Sequence, residues 1–394
     1  KRASRCRPTL LPLTGHRAKL TSMEPQYAEH LVALRKLMEE KGVECMLVTQ
    51  VPAFFWLTGG RTYVPTIEGA GPSKAFVDKE KAVIITTAIE EHKMKNQECP
   101  GWEIRAAPWA GLPKTMDDIE VELVAGRKVE TDTGDLLSGA LDELMVDLTD
   151  ADVAAYIELG KDIGEALEEA ARSVSIGDTE YKVSGLTHLA YNKRGIDLVM
   201  TAVAHDERIA WDRHPLPRLG SGNGSGSELK KVCMIATCGR RKGLVCSLSR
   251  VVCFGEVPEE LRKIHDVCME VDAEINMATL PGKTASELYD LLTKAYTDRG
   301  FPEQMLQHHQ GGLIGYKCRH WIAQPGSDKV IKGGRAYAWN PTIAGKTIGT
   351  KSEDTIYVDK EGNIKNLTPS PTWPYKEVKT ADGKVFPRPD ILVK

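Results

Sequence analysis

The sequence predicts an α+β domain over residues 148–360, preceded by a smaller α/β domain over 26–147 and followed by an extended, proline-rich tail over 361–394. Three observations predict it. Over 26–147, amphipathic helical runs alternate with short apolar strands, with no glycine-rich phosphate loop to imply a nucleotide. Near residue 148 the alternation gives way to one long helical run, "DLTDADVAAYIELGKDIGEALEEAARSV". Beyond it, helical segments are separated by β-rich stretches, the pattern of helices laid on one side of a long sheet.

The elements follow in order. Residues 1–22 carry six Lys or Arg and no acid. An organelle transit peptide has that look, and so does translated sequence upstream of a start codon. Met23 is a natural start, so 1–22 are expected to be a disordered or non-native extension. Over 26–41, Leu31, Leu34 and Met38 share a helical face and Gly42 stops the helix. "ECMLVTQV", "KAFVD" and "KAVIITT" then read as strands. Thr149 with Asp152 makes a capping-box start. Val153, Ile157, Ile163, Leu167 and Val174 form an irregular apolar stripe along the helix that follows. Further helices are expected over 178–194, over 257–277, and in "ASELYDLLTKAYTDRG", closed by Gly300. Strands are expected over 199–204, 230–254, 335–343 and 354–358. "LGSGNGSGSELKK" (219–231) is a flexible loop between two strands. The proline-rich "NLTPSPTWPYKEV" and "FPRPD" should wrap the surface in extended form.

Composition excludes several function classes. About two-fifths of the chain is apolar, a quarter is charged, and the net charge is −3, as in an ordinary globular protein. Nothing in that balance favours nucleic acid or an anionic membrane. No apolar run nears the ~18 residues of a spanning helix. The nine cysteines are odd in number and lack a CxxC pair. They fit free thiols in a reducing, cytoplasmic setting, with organellar import as the alternative if 1–22 is a genuine transit peptide. Cys233, Cys238, Cys246 and Cys253 match no zinc-module spacing and read as small buried hydrophobes on strands.

Four stretches place titratable residues beside strand-like apolar ones. "HDERIAWDRHPLPR" (205–218) holds His214, and "CGRRKGLVCSLSR" (238–250) holds Arg250. "HHQGGLIGYKCRHW" (308–321) holds His308, His309 and Arg319. "WNPTIAGKTIGTKSEDT" (339–355) holds Asn340, Glu353 and Asp354. Histidine transfers protons near neutral pH and ligates metals. On a strand, one ring of the "HH" pair would face the interior and its neighbour the other way. The paired glycines would admit a close backbone or ligand. By itself each of these is equally well a solvated or core-satisfied group.

The order of the four stretches resembles the creatinase/prolidase/Xaa-Pro aminopeptidase group, the M24 peptidases with the pita-bread fold. The resemblance runs from 26 to about 358. "RHPLP", "RRKGLVCSLSR", "HHQGG" and "GTKSEDT" are closer still to a divergent subgroup of that family. The resemblance implies a pita-bread domain behind a creatinase-type N-terminal domain. Typical members hold two divalent ions with two Asp, one His and two Glu, which activate a hydroxide and polarise a carbonyl.

Matched position by position, the first Asp falls near Ala236 to Cys238 and the second on Ser247. The His is His309, the first Glu is Asn340 and the last Glu is Glu353. Three carboxylates are gone, leaving too little negative charge for two dications. The resemblance therefore implies no metal, or one divalent ion (Mn or Zn) at His309 and Glu353. Creatinase, which also lacks the metal set, cleaves a C–N bond with a histidine for proton transfer. By that likeness His214, His309 and Glu353 would be catalytic, and Arg250, Arg319, His308 and Asn340 would bind substrate. For both arginines an internal ion pair is the alternative. The expected activity is hydrolysis of a C–N bond in a small amino-acid-like or dipeptide substrate by a homodimer. The alternatives are an inactive fold that binds a peptide or protein, and a metal-dependent aminopeptidase with substitute ligands.

Overall fold

The computed structural model describes residues 23–63, 69–218 and 228–394. The expectations for 1–22 and for the glycine-rich core of the 219–231 loop lie outside the described residues.

The chain opens with the expected helix, Pro25–Glu40, which buries Leu31, Leu34 and Met38. Five strands follow: β1 Cys45–Gln50, β2 Ala70–Asp78, β3 Ala82–Thr87, β4 Glu103–Ala107 and β5 Val129–Thr131. They form one mixed sheet in the order β4-β3-β2-β1-β5, with β1/β2 and β2/β3 antiparallel and the outer pairs parallel. A helix that the periodicity did not suggest, Val51–Thr58, follows β1 directly. It is "VPAFFWLT", apolar on every face and buried throughout most of its length, so it carries no amphipathic signal.

The long helix Asp150–Ser173 starts on the expected capping box, with the Thr149 side chain accepting from the Asp152 backbone. Its buried stripe is Tyr156, Leu159, Ile163 and Leu167, whereas Val153 and Ile157 are only half-buried. Gly160 and Gly164 belong to that stripe too. A Cβ on either would lie 2.2 Å or 2.1 Å from the carbonyl oxygens of Leu367 and Pro369, so glycine is what lets the tail cross the helix there.

Helix Glu180–Asn192 packs beside this one, and both cover a four-stranded sheet. Its strands are β6 Asp197–His205, β7 Val232–Arg241 and β8 Leu244–Cys253, in antiparallel neighbours. β7 and β8 are joined through Lys242 and Gly243, both at positive φ (49° and 86°), the conformation of a tight hairpin turn.

Helices Glu259–Ala278 and Ala285–Asp298 precede a second sheet. It contains β9 Gly311–Ile314, β10 Trp321–Ile322 and β11 Arg335–Trp339. A short hairpin, β12 Thr342–Ala344 and β13 Gly349–Lys351, leads into β14 Asp354–Val358 and β15 Ile364–Asn366. The sheet order is β10-β9-β11-β14-β15. A bridge between Ser249 and Glu353 joins the two sheets. The mixed helix and strand content is the α+β class expected.

The tail is extended, in the form of paired strands. It forms the hairpin β16 Tyr375–Lys379 and β17 Val385–Pro389, and β18 Leu392–Val393 joins β8 in parallel. Leu367, Trp373, Val378 and Phe386 are buried. Pro387 and Pro389 lie in β17, in a two-stranded ribbon that tolerates a missing donor, and Pro369, Pro371 and Pro374 precede it. Among the described residues, no helix is long and apolar enough to cross a membrane.

Candidate active site

A cavity of 210 Å³ opens where β6, β7, the segment after β9 and the β13–β14 junction converge. Its lining includes Arg213, His214, Cys238, His309, Arg319, Asn340, Lys351 and Glu353. β7 and β8 bring their side of it by register. Cys238 faces Ser247 across the strands, and Ala236 faces Ser249. The β13–β14 junction brings the other side by alternation: Lys351 and Glu353, two apart, line the cavity, while Ser352 between them turns away to Asp272 and Asp354, the first residue of β14, turns to Arg250.

The "HHQGG" stretch is resolved differently from the strand reading. Residues 308–310 precede β9 and are not a regular strand, so the two rings do not point to opposite faces. His308 and His309 stack, with centroids 4.6 Å apart and planes 24° from parallel. His214 completes the group: its Nε2 is 3.2 Å from that of His308, and its ring centroid is 5.7 Å from that of His309. The glycines serve the backbone. A Cβ on Gly311, which holds φ +108°, would lie 2.1 Å from the Ala338 carbonyl oxygen, and one on Gly312 would lie 2.2 Å from that of Trp321. They let β9 sit between β10 and β11, with no ligand needed to explain them.

The charges in the cavity are mostly positive. Arg319 is 3.3 Å from Glu353 Oε1 and also donates to Ser247 Oγ at 3.4 Å and to the Cys318 carbonyl at 2.6 Å. Arg213 donates to Gln304 and Gln307 and, among the described residues, makes no ion pair within 4.0 Å. Burial lowers the Lys351 amine to about 8, against the pull of Glu353, which holds it up. Burial raises Glu353 above the usual carboxylate range, with Lys351 and Arg319 opposing. His309 is brought down to about 4 by burial, then by Arg319 and Lys351. His214 and His308 are lowered by burial first and then by Lys351, so all three imidazoles are neutral at pH 7. Buried polar atoms without a protein partner gather here: Arg213 Nη1, His309 Nδ1, Arg319 Nε and Asn340 Oδ1. Such atoms are costly unless a ligand or water satisfies them.

The expected residues divide accordingly. His214, His309, Arg319, Asn340 and Glu353 meet at the cavity, and His308 stands behind it against His214. Arg250 does not join them. Its side chain is fully buried, 3.0 Å from Asp354, and it also donates to Ser370, Ser249 and Thr368. That is the internal ion pair, and it ties β8 to the tail. The four clustered cysteines are buried on β7 and β8 as expected, yet Cys238 also lines the cavity.

Sequence reasoning missed Lys351, Cys318 and the placement of Arg213. Only Lys351 carried a signal, its two-residue spacing from Glu353.

A two-ion cluster does not fit these donors. Among the residues lining the cavity Glu353 is the one carboxylate, and three cations, Arg213, Arg319 and Lys351, share the same space. Arg319 holds the one remaining carboxylate, which removes Glu353 as a ready partner for His309. A single ion has a better donor set. Ligand atoms of His214, His308 and His309 lie within 4.8 Å of one another, the one group of three or more metal-binding side chains found among the described residues. Neutral imidazoles suit zinc-like ions.

Known proteins place the chain. Residues 31–158 match the Creatinase/Prolidase N-terminal domain and residues 155–360 match Metallopeptidase family M24. An Xaa-Pro dipeptidase of Lactobacillus delbrueckii subsp. lactis is 32% identical over 124 residues, 31% of this chain and 33% of that protein. The aligned part thus spans about a third of that relative's length. An agropine synthesis cyclase of Rhizobium rhizogenes is 27% identical over 247 residues, 58% of this chain and 61% of that protein. The solved Xaa-Pro dipeptidase from Bacillus anthracis superposes with a TM-score of 0.71 at 19% identity, covering 93% of this chain and 100% of that one, a likeness of fold. With its M24 model spanning more than half the chain, and a creatinase-type domain ahead of it, this protein belongs to metallopeptidase family M24.

Proposed function

We propose that this protein is an M24-fold hydrolase that cleaves a C–N bond in a small amino-acid-like or dipeptide substrate without a dinuclear metal cluster. The observation that carries the reading is the exchange of charge in the cavity: Arg319 and Lys351 stand among neutral imidazoles where the family's carboxylates and cations would be. The alignments to Xaa-Pro dipeptidases support the substrate class.

In this reading a substrate carboxylate is held by Lys351 and Arg213, neither of which makes an ion pair within 4.0 Å among the described residues. Water entering the cavity attacks the carbonyl or amidine carbon while His309 takes its proton. Negative charge developing on the former carbonyl oxygen is stabilised by Arg319 and Lys351 in a site of low dielectric. The proton that His309 has taken then passes to the departing nitrogen, with His214, the accessible member of the three, as its relay. Such proton transfer contributes about 10²–10⁴-fold. Glu353 fixes Arg319. Asn340 offers its free Oδ1 to a substrate N–H. Should one divalent ion bind, the histidine triad would hold it and it would supply Lewis acidity.

The test is turnover by chelator-treated protein on a panel of Xaa-Pro dipeptides and of carboxylate-bearing ureas and amidines. Hydrolysis without added metal, abolished in His309→Ala, is expected. A requirement for two equivalents of metal would overturn the reading. The loss of three carboxylates favours a second reading, a catalytically inactive fold binding a peptide, for which the same panel gives saturable binding and no product.

We also infer a homodimer. Trp211, Leu216 and Leu306, exposed by 68%, 70% and 86%, lie on two segments that Arg213, a cavity-lining residue, joins through Gln304 and Gln307. A partner covering them would bury apolar surface that is unusual on a monomer.

A further inference from the structure

Two thiols share the wall of this cavity. Cys238 projects from β7, is 5% exposed, and its Sγ lies 3.1 Å from Ser247 Oγ. Cys318 comes from the turn between β9 and β10, half-buried, and immediately precedes Arg319. The same Ser247 hydroxyl receives Arg319 Nη1 at 3.4 Å, and Nη1 also binds the Cys318 carbonyl at 2.6 Å. Ser247 and Arg319 therefore tie the two cysteine-bearing segments together, and the two thiols are near enough for each to influence the other's ionisation.

We propose that Cys238 and Cys318 are a peroxide-reactive dithiol whose disulfide closes the cavity of this protein.

The surroundings divide the roles. Interaction with the Cys238 thiol favours the Cys318 thiolate and brings that thiol down to about 7, with burial opposing and Arg319 and Arg240 assisting. Cys238 itself is pushed up. Cys233, Cys246, Cys253 and Cys268 are pushed up by burial and line no part of this cavity. A thiolate next to cations and open to a cavity is the reactive kind, and the others are inert core groups.

The chemistry balances with a peroxide as oxidant. The Cys318 thiolate attacks one peroxide oxygen, the O–O bond breaks, and hydroxide leaves and is protonated to water. Cys318 is now a sulfenic acid. Cys238, losing its proton, attacks that sulfur and expels the oxygen as a second water. Two thiols and one hydrogen peroxide give one disulfide and two waters. The bond requires the sulfurs at about 2.05 Å. It draws the 315–320 turn against β7, and with it Arg319, which the proposed hydrolysis needs. The effect on turnover rests on that functional reading, whereas the disulfide itself does not.

The experiment treats the full chain with one to ten equivalents of hydrogen peroxide, then maps peptides by mass spectrometry without reduction. A single linked pair containing Cys238 and Cys318, 2 Da lighter than the free peptides and reversed by dithiothreitol, is expected. Cys238→Ser should leave Cys318 as a sulfenic acid trapped by dimedone, and Cys318→Ser should give neither product. Cys246→Ser, with circular dichroism as the check on folding, should behave as the parent chain. A bridge between other cysteines, or no bridge at ten equivalents in folded protein, would overturn the proposal. If a substrate has been found, turnover should fall at least 10-fold on oxidation and return on reduction. If the reduced protein turns nothing over, the hydrolase reading fails while the peptide map still decides the dithiol.

Discussion

Arg319 Nη2 and Glu353 Oε1 meet at 3.3 Å, joining a turn after β9 to the β13–β14 junction on the wall of the cavity. Glu353 is 3% exposed and Arg319 16%, so each is what makes the other's burial tolerable. Removing one partner of a buried pair commonly costs about 3–5 kcal/mol. Arg319→Met should therefore destabilise the fold by about 3 kcal/mol in urea unfolding. Arg319→Met with Glu353→Gln should recover most of that, because no charge is left stranded. An additive double variant would show that the two do not interact.

Metal content separates the family's usual chemistry from this site. Protein dialysed against Mn, Zn or Co and then against metal-free buffer should retain fewer than two ions per chain by elemental analysis. If it retains one, His308→Ala should release it, whereas Glu353→Gln should leave it bound. Retention of two ions, lost together in Glu353→Gln, would mean that substitute ligands exist.

Lys351 sets a pH limit. Its amine is held at about 8 by burial, with Glu353 raising it and Arg319 and Arg213 lowering it. The charge needed to hold a substrate carboxylate is present below that value and is lost as pH rises through it. kcat/KM should fall above about pH 8, and Lys351→Arg should keep it level past pH 9, since arginine stays charged. On the acid side, turnover should persist well below pH 6.5, because burial keeps His309 neutral down to about 4. A descending limb unchanged in Lys351→Arg would remove Lys351 from binding.

The glycine pair has a structural role that can be measured apart from activity. Gly311 combines φ +108° with a Cβ position 2.1 Å from Ala338 O. Gly311→Ala should destabilise the fold by more than about 2 kcal/mol, through both strain and the parting of β9 from β11. Thermal unfolding of purified Gly311→Ala within 2 °C of the parent chain would contradict this.

The exposed apolar side chains give a prediction about assembly. Light scattering behind size exclusion should return twice the chain mass for the parent protein. Leu306→Asp, a substitution at a residue 86% exposed, should shift the population to monomer without loss of secondary structure. Monomer mass for the parent chain at micromolar concentration would remove the dimer.

By itself the sequence determined the local elements and the family. Leu31, Leu34 and Met38 on one face, the Thr149–Asp152 cap and the strand alternation of 230–254 are set by neighbours a few residues apart, and periodicity reads such neighbours directly. Position-by-position matching to the resembling family also gave the expectation that carboxylates are missing at Ala236–Cys238, Ser247 and Asn340.

The tertiary structure alone decided what stands there instead. Lys351 and Arg319 come from different elements, as do Cys238 and Cys318, and their meeting depends on sheet register and on how one sheet crosses the other. Arg250 turned inward because Asp354 waited on the far face of the strand pair, a pairing 104 residues apart in the chain. His308 and His309 stacked because the chain bends before β9 begins. Spacing along the chain carries no record of such long-range packing, which is fixed only when apolar faces close around the polar groups between them.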